Sequence, residues 1–458
     1  MAGLDELPTE VLAGILSHLP SQEDSLGSQH YSSKRDFYNL SLCSRRLHDV
    51  VEAPLYARID GSYSVTVALI TRTFLDRPRL ALLVREAMIK VKNGIGMAPT
   101  NEELMGSLGR DSLRTAVNAT GVSSLEGGPW LTDFKAGRSD AREALMLSML
   151  PNLRVLSLNV SSPLQYINNL AHCVRERAMP SRSKAQFSTD TQRELSCRHA
   201  FASLEDVRIE AVSSLDYDEA LPTMNLPSLH RFYTYGLSTS RYSWEPPPES
   251  SVVQDLELHG CEMLEDELFY ILRSCRALVS LEYEWNQSAW SEEDGRDDEW
   301  DFGIELGPLI IEGLTSSKPS LQALLVNGSG AIRNDVMSFG SLLDFETLKM
   351  IRAPSVLILN RSRDGIKRRL VDVLPAAFET LYLINDGLPG EESLITELLE
   401  LVRSERRSKI LHHITIEHFG RHRIQFQGVS DVARLEAACA KVGISFALQL
   451  PTYSGGEW

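Results

Sequence analysis

The chain has 458 residues, 46 basic and 62 acidic side chains, a net charge of −16 and a hydrophobic fraction of 43%. That length and composition belong to a soluble globular protein with two or three domains and a sizeable core. The acidic balance, with a pI of about 5.2, argues against a nucleic-acid binder, which needs a basic footprint, and against an anionic membrane surface.

The first sixty residues organise the rest of the chain. Leu7-Pro8-Thr9-Glu10 reads as a helix start, with a proline where no donor is needed and a carboxylate near the positive end of the helix dipole. Val11, Leu12, Ile15, Leu16 and Leu19 then make one apolar stripe, which Pro20 ends. Phe37 to Val51 repeats the pattern with Leu40, Leu42, Cys43, Leu47, Val50 and Val51, and Pro54-Leu55-Tyr56 closes it. Short amphipathic helices of this kind bury too little surface alone, so the segment needs a partner helix.

These residues resemble an F-box, the three-helix motif that docks on the Skp adaptor of Skp–cullin–F-box ubiquitin ligases. The resemblance rests on Leu7-Pro8-x-Glu10-Val11-x3-Ile15-x3-Leu19 and on Leu40-Ser41-Leu42-Cys43-Ser44-Arg45-Arg46-Leu47. The exit at Pro54-Leu55-Tyr56 is similar to that of many fungal F-box proteins. Two features depart from the pattern: a polar link, Glu23 to Arg35, between the halves, and Leu47 where many F-boxes carry tryptophan. The resemblance implies adaptor contacts through Leu7, Pro8, Glu10, Val11, Ile15, Leu19, Leu40, Leu42 and Leu47. The plainer alternative is a helical hairpin packed on the body of the protein.

Residues 61–150 read as a linker and capping region. Val65 to Leu75 is helical in pattern, Leu83 to Val91 is extended, GIGMAPT and GVSSLEGGP are loop signals, and Asp140 to Leu150 is a short helix. A repeat occupies residues 151–450, leaving 451–458 as a tail. Leu153-x-x-Leu156-x-Leu158 recurs with starts at Leu204, Leu229, Val253, Leu278, Leu321, Leu348, Phe378 and Leu411, at intervals of 51, 25, 24, 25, 43, 27, 30 and 33 residues. Most intervals lie near the period of about 20–29 residues of leucine-rich repeats. The long intervals hold insertions at 179–192 and at 291–301, the latter with seven carboxylates and one arginine; repeat boundaries within 159–203 and 285–320 stay open.

Strands alternate sides, so the last two apolar positions of each unit face a core, and helices such as Asp266–Cys275 and Ser393–Val402 return the chain. The expected fold is therefore α/β: an N-terminal helical F-box, then an irregular leucine-rich-repeat solenoid with parallel strands on a concave side and helices outside. The unit from His259 to Leu278 resembles the leucine-rich units commonly joined to F-boxes.

No catalytic, cofactor or metal constellation emerges. Gly94-x-Gly96 lacks the third glycine of a dinucleotide fingerprint. Asn327-Gly328-Ser329-Gly330 lacks a nucleophile-elbow frame and reads as a turn at the end of a repeat. His412, His413, His418 and His422 read as decoration of a strand and turn, and the acidic run from Glu292 to Asp301 lacks the spacing of a calcium loop. Basic clusters at Arg361–Arg369 and Arg403–Lys409 read as solubilising or cap-complementing charge in preference to a nuclear signal. The six scattered cysteines show no C-x-x-C spacing and read as free thiols in a reducing compartment. With no signal-peptide pattern at the start and no long apolar run, the expected location is the cytoplasm, the nucleus or both.

The outward strand positions are the better place for function, the plainer alternative being an ordinary solvated sheet face. There the second to fifth repeats place Asp206, Arg208, Glu210, Arg231, Tyr233, Tyr235, Asp255, Glu257, His259, Ser280, Glu282 and Glu284 side by side. Of these, Arg208, Arg231, Tyr233, Tyr235, Glu257, His259, Glu282 and Glu284 are the candidate contacts to a target protein. The resemblance implies a non-catalytic receptor subunit that joins a target to the Skp-type adaptor and, through it, to a cullin–RING ligase. The alternative is an adaptor-binding scaffold that acts outside the ligase.

Overall fold

The computed structural model describes residues 7–17, 30–92, 115, 117, 127–136, 139–161, 163–178, 201–238, 245–286, 305–329, 337–359, 361–362, 365–366, 369–385, 391–404, 410–418 and 429–449. The chain divides into two compact units, residues 1–205 and 206–458.

The first unit begins with three helices, α1 (Thr9–Ser17), α2 (His30–Cys43) and α3 (Arg45–Ala57). The Pro8 carbonyl accepts from the Val11 and Leu12 amides at 3.0 and 3.1 Å and opens α1. Leu12 and Leu16, one turn apart, are buried, as are Leu47 and Val51 on α3. The expected single segment from Phe37 to Val51 is two helices. Ser44 breaks it with an extended backbone, and its hydroxyl accepts from the Leu47 amide at 3.1 Å as an N-cap. α3 runs through Pro54 to Ala57 instead of closing at the proline. The Arg46 guanidinium donates to the Leu7 carbonyl and ties the start of α1 to α3.

Strands β1 (Arg58–Gly61), β2 (Glu86–Val91) and β3 (Val155–Val160) come next, paired in parallel and in sequence order. α4 (Ser64–Asp76) and α5 (Pro78–Ala81) connect β1 to β2. Between β2 and β3 lie α6 (Gly127–Lys135) and α7 (Ser139–Ser148), and α8 (Gln165–Ala178) comes after β3. Buried Asp140 on α7 accepts from the Tyr166 and Ile167 amides at 2.5 and 3.3 Å, meeting orphan donors in the first turn of α8.

The second unit is a ladder of nine parallel strands in sequence order: β4 (Asp206–Asp216), β5 (Arg231–Ser238), β6 (Asp255–Cys261), β7 (Ser280–Asn286), β8 (Ala323–Ser329), β9 (Met350–Pro354), β12 (Thr380–Asn385), β13 (His413–His418) and β14 (Ser445–Gln449). A two-stranded antiparallel hairpin, β10 (Arg361–Ser362) with β11 (Gly365–Ile366), stands apart from it and carries part of the basic cluster. Helices return the chain, among them α9 (Tyr217–Met224), α10 (Glu265–Ser274), α11 (Leu306–Gly313), α12 (Ser355–Leu359), α13 (Leu370–Val373), α14 (Glu391–Arg403) and α15 (Val429–Val442).

One core layer runs across this ladder. Val207, Phe232, Leu256, Leu281, Leu324, Ile351, Leu381 and Ile414 pair in register, and all are buried. The second layer holds Thr234, Tyr283 and Ala353 where leucine is the expected residue, and these too are buried.

All nine repeat segments read from the sequence coincide with strands. Besides the β10–β11 hairpin, three strands among the described residues lie outside that set. β1 offers Ile59 and then Gly61 at its two core positions, too little apolar signal for a leucine pattern. β2 pairs in parallel with β1 and β3 within the first unit. β14 is half-exposed along its length, and its pattern is correspondingly weak. Asn327, Gly328 and Ser329 form strand, not the expected turn, because the long β7 offers them partners at Glu284, Trp285 and Asn286. The insertions at 179–192 and 291–301 lie outside the described residues, as do Leu19, Gly94, Gly96 and His422.

Candidate protein-binding surface

The outward positions of β4 to β7 are set by the pleat. Arg208, Tyr233, Glu257 and Glu282 form one row in strict register, each facing away from the buried residues on either side. Glu210, Tyr235 and His259 form the next row. Six of the eight residues proposed as target contacts lie in these two rows; Arg231 lies on β5 opposite Asp206, and Glu284 lies on β7 within 3.1 Å of His259. Asp206 differs from expectation: its side chain is only 3% exposed, although it lies in an outward row. Arg231 at 3.1 Å and Arg208 at 3.4 Å fold over it, so both guanidinium groups are held by one carboxylate.

The centre of the face is His259. Its Nδ1 lies 3.1 Å from Glu284 Oε2, and its Nε2 lies 3.7 Å from Glu257 Oε2. The Tyr233 ring packs against the imidazole with centroids 5.3 Å apart. Gly260 is next along the strand with φ of +56°, where the β6–β7 register shifts before Cys261. That left-handed turn suits glycine, and a Cβ there would stand 3.0 Å from the Tyr235 ring.

The face is electrically negative at this point. Burial, then the Glu210 and Glu257 carboxylates, push the Tyr233 phenol above its ordinary range. Behind the face, burial drives the Cys261 thiol up to about 12, so it is inert. Donor atoms of Glu257, His259 and Glu282 lie within 4.8 Å of one another, the residue types a divalent cation accepts.

The same rule of outward positions extends further than the sequence reading took it. Arg352 on β9 lies in the outward row with Leu325 and Tyr382, and it donates to Glu417 on β13 at 2.7 Å, across β12. Arg352 is the third residue of its strand, after Met350 and Ile351, so the signal was already present in the repeat.

In the first unit, the described residues proposed for adaptor contact fall into three groups. Val11, Ile15 and Leu42 are 45%, 44% and 68% exposed, and Pro8 and Glu10 are also exposed. Leu7 and Leu40 are half-buried. Leu47 is 6% exposed and packs inside the unit, so it holds helices together and presents no surface. Tyr38, exposed one turn before Leu42, was not singled out from the sequence, because a lone tyrosine in a polar stretch gives no periodic signal.

A family model for the leucine-rich repeat domain matches residues 58–416. The chain belongs to the leucine-rich repeat family. The match begins at the first residue of β1 and so includes the strands that precede the leucine pattern. No curated protein matches the chain. A leucine-rich repeat domain is typically a non-catalytic scaffold that binds protein partners, and the parallel strands with returning helices have that architecture. Among the described residues, no helix is long and apolar enough to cross a membrane.

Proposed function

We propose that this leucine-rich repeat protein is the substrate-recognition subunit of a Skp–cullin–F-box ubiquitin ligase. The N-terminal helices dock on the Skp-type adaptor, and the exposed strand face of the second unit holds the target. The chain performs no bond chemistry. It raises the effective concentration of a target lysine near the charged ubiquitin-conjugating enzyme.

The supporting observation is the division of apolar residues in α1 to α3. Leu12, Leu16, Leu47 and Val51 use one set of faces to hold the helices together, which leaves Val11, Ile15 and Leu42 outside. An isolated helical unit gains nothing from exposed aliphatic side chains on these faces, whereas a docking helix from a partner does. The Leu7-Pro8-x-Glu10 start and the Ser44-x-x-Leu47 tail are the sequence features that carry the F-box resemblance.

The experiment is co-purification of the full chain with the Skp-type adaptor and cullin. Val11→Asp with Ile15→Asp is expected to lower adaptor recovery at least a hundredfold, while the far-ultraviolet spectrum and melting profile of the protein are retained. Undiminished adaptor recovery by that double variant would sink the reading. Adaptor recovered without cullin would favour a scaffold acting outside the ligase.

A further inference from the structure

The strand face holds its charges unevenly. Arg208 and Arg231 are both held by Asp206, and Arg352 is paired with Glu417. Glu257, Glu282 and Glu284 share a small area on β6 and β7, and Glu257 stands directly opposite Glu282 in the ladder. Like charges directly opposite one another on neighbouring strands are unfavourable. Among the described residues, their ion-pair contacts are to His259 alone, at 3.7 Å from Glu257 and 3.1 Å from Glu284. Three carboxylates therefore converge on a face whose guanidinium groups are engaged elsewhere.

We infer that this cluster is the specificity site of the target-binding face, and that it takes a cationic side chain, arginine or lysine, from an extended basic segment of the target. The inference rests on the reading of this face as the target surface. Three features fit an organic cation. Glu257, Glu282 and Glu284 offer carboxylates to a guanidinium fork or an ammonium group. Tyr233 stands opposite Glu257 in the ladder, and exposed Tyr235 stands opposite His259, and an aromatic ring face attracts an alkylammonium or guanidinium group. His259 is fixed between Tyr233 and Glu284, so the floor of the site is already in place before binding.

A bare divalent cation fits less well. Glu257 and Glu284 are about half and two-fifths exposed, open to bulk water, with no further residue closing a coordination sphere among those described. The flanking aromatic surface adds nothing to an inorganic ion. Net charge alone is also insufficient, since 62 acidic residues are spread over the whole chain. The location is what the experiment has to isolate.

The test uses the full chain and two fluorescent peptides in a Gly-Ser frame, one with three arginines and one with three citrullines. Citrulline keeps the shape of arginine and removes its charge. The arginine peptide is expected to bind at least tenfold more tightly than the citrulline peptide. The triple variant Glu257→Gln, Glu282→Gln, Glu284→Gln is expected to erase that difference. A control triple, Glu249→Gln, Glu312→Gln, Glu346→Gln, has the same net charge and is expected to preserve it. Equal losses in both triples would overturn the inference in favour of diffuse attraction. Stoichiometric zinc binding that the first triple abolishes, with the peptide unaffected, would overturn it in favour of a metal site.

Failure of the inference separates from failure of the parent reading through Leu325→Trp, which crowds the same outward row without changing its charge. Target captured from cells with proteolysis blocked is expected to be lost in both Leu325→Trp and the first triple. Loss in Leu325→Trp with retention in the triple keeps the face and removes the cation. Retention in both removes the face as well.

Discussion

Asp206 and Arg231 join β4 to β5 through a carboxylate that is almost completely covered, 3.1 Å from a guanidinium that is mostly in water. Arg208 closes over the same carboxylate at 3.4 Å from its own strand. The asymmetry decides the energetics. Asp206→Ala is expected to cost about 1–2 kcal/mol in urea unfolding, because it removes the acceptor shared by two cations. Arg231→Ala alone is expected to cost less than about 1 kcal/mol, since that side chain is solvated and its pair is screened. Equal losses for the two variants would mean that the pair is not shared in this way.

Most of this ladder was readable because leucine spacing and strand pleat are the same signal. Leu256 and Leu258 point inward, and Glu257 must therefore point out. Where the apolar signal thins, the reading failed. Gly61 fills a core position with no side chain, so β1 did not register as a repeat. The break at Ser44 was also missed, because the apolar spacing of Leu40, Leu42 and Leu47 continues across it and only the cap geometry reveals two helices. The pairing state of the charges was not legible at all. Asp206 and Glu257 occupy outward positions in the same pattern, yet one is covered by two guanidinium groups and the other is open. That difference depends on side-chain reach between strands, which spacing does not encode.

The turn at Gly260 gives a second prediction. Its φ of +56° disfavours any L side chain, and a Cβ there meets the Tyr235 ring at 3.0 and 3.2 Å. Gly260→Ala is expected to destabilise by about 1–2 kcal/mol, from backbone strain together with displacement of the ring. Chemical denaturation measures it. A variant as stable as the parent would show that the β6–β7 bulge relaxes without cost.

Thr234 carries a third. Its hydroxyl sits in the second core layer of β5, fully buried, and its Oγ1 has no hydrogen-bond partner among the described residues. Valine has nearly the same shape without the polar atom. Thr234→Val is expected to stabilise the chain by about 1 kcal/mol or more, raising the urea midpoint without changing the slope. A lowered midpoint would place a bound water or a hidden partner at that oxygen.

The thiols give the last prediction, and it has two readouts. Burial pushes Cys261 and Cys275 up to about 12 and Cys439 up to about 11, while Cys43 stands exposed on α2. At pH 8 a thiol with a pKa near 12 is ionised only to the order of 10⁻⁴, and the thiolate is the reactive form. A maleimide pulse on the native chain, then peptide mass spectrometry, is therefore expected to label Cys43 within minutes and to leave Cys261 and Cys275 unlabelled until denaturant is added. The same shift links stability to pH. These thiols are neutral in both folded and unfolded chains below about pH 8.5, so they impose no pH dependence there. Above it the unfolded chain loses the protons first, because the folded pKa values are raised. Stability then falls with rising pH by about 1.4 kcal/mol per unit per thiol until the folded values are reached. Labelling of Cys261 at the rate of Cys43 would show that the end of β6 opens on the timescale of the pulse, and the strand face proposed to hold the target would then not be a preformed surface.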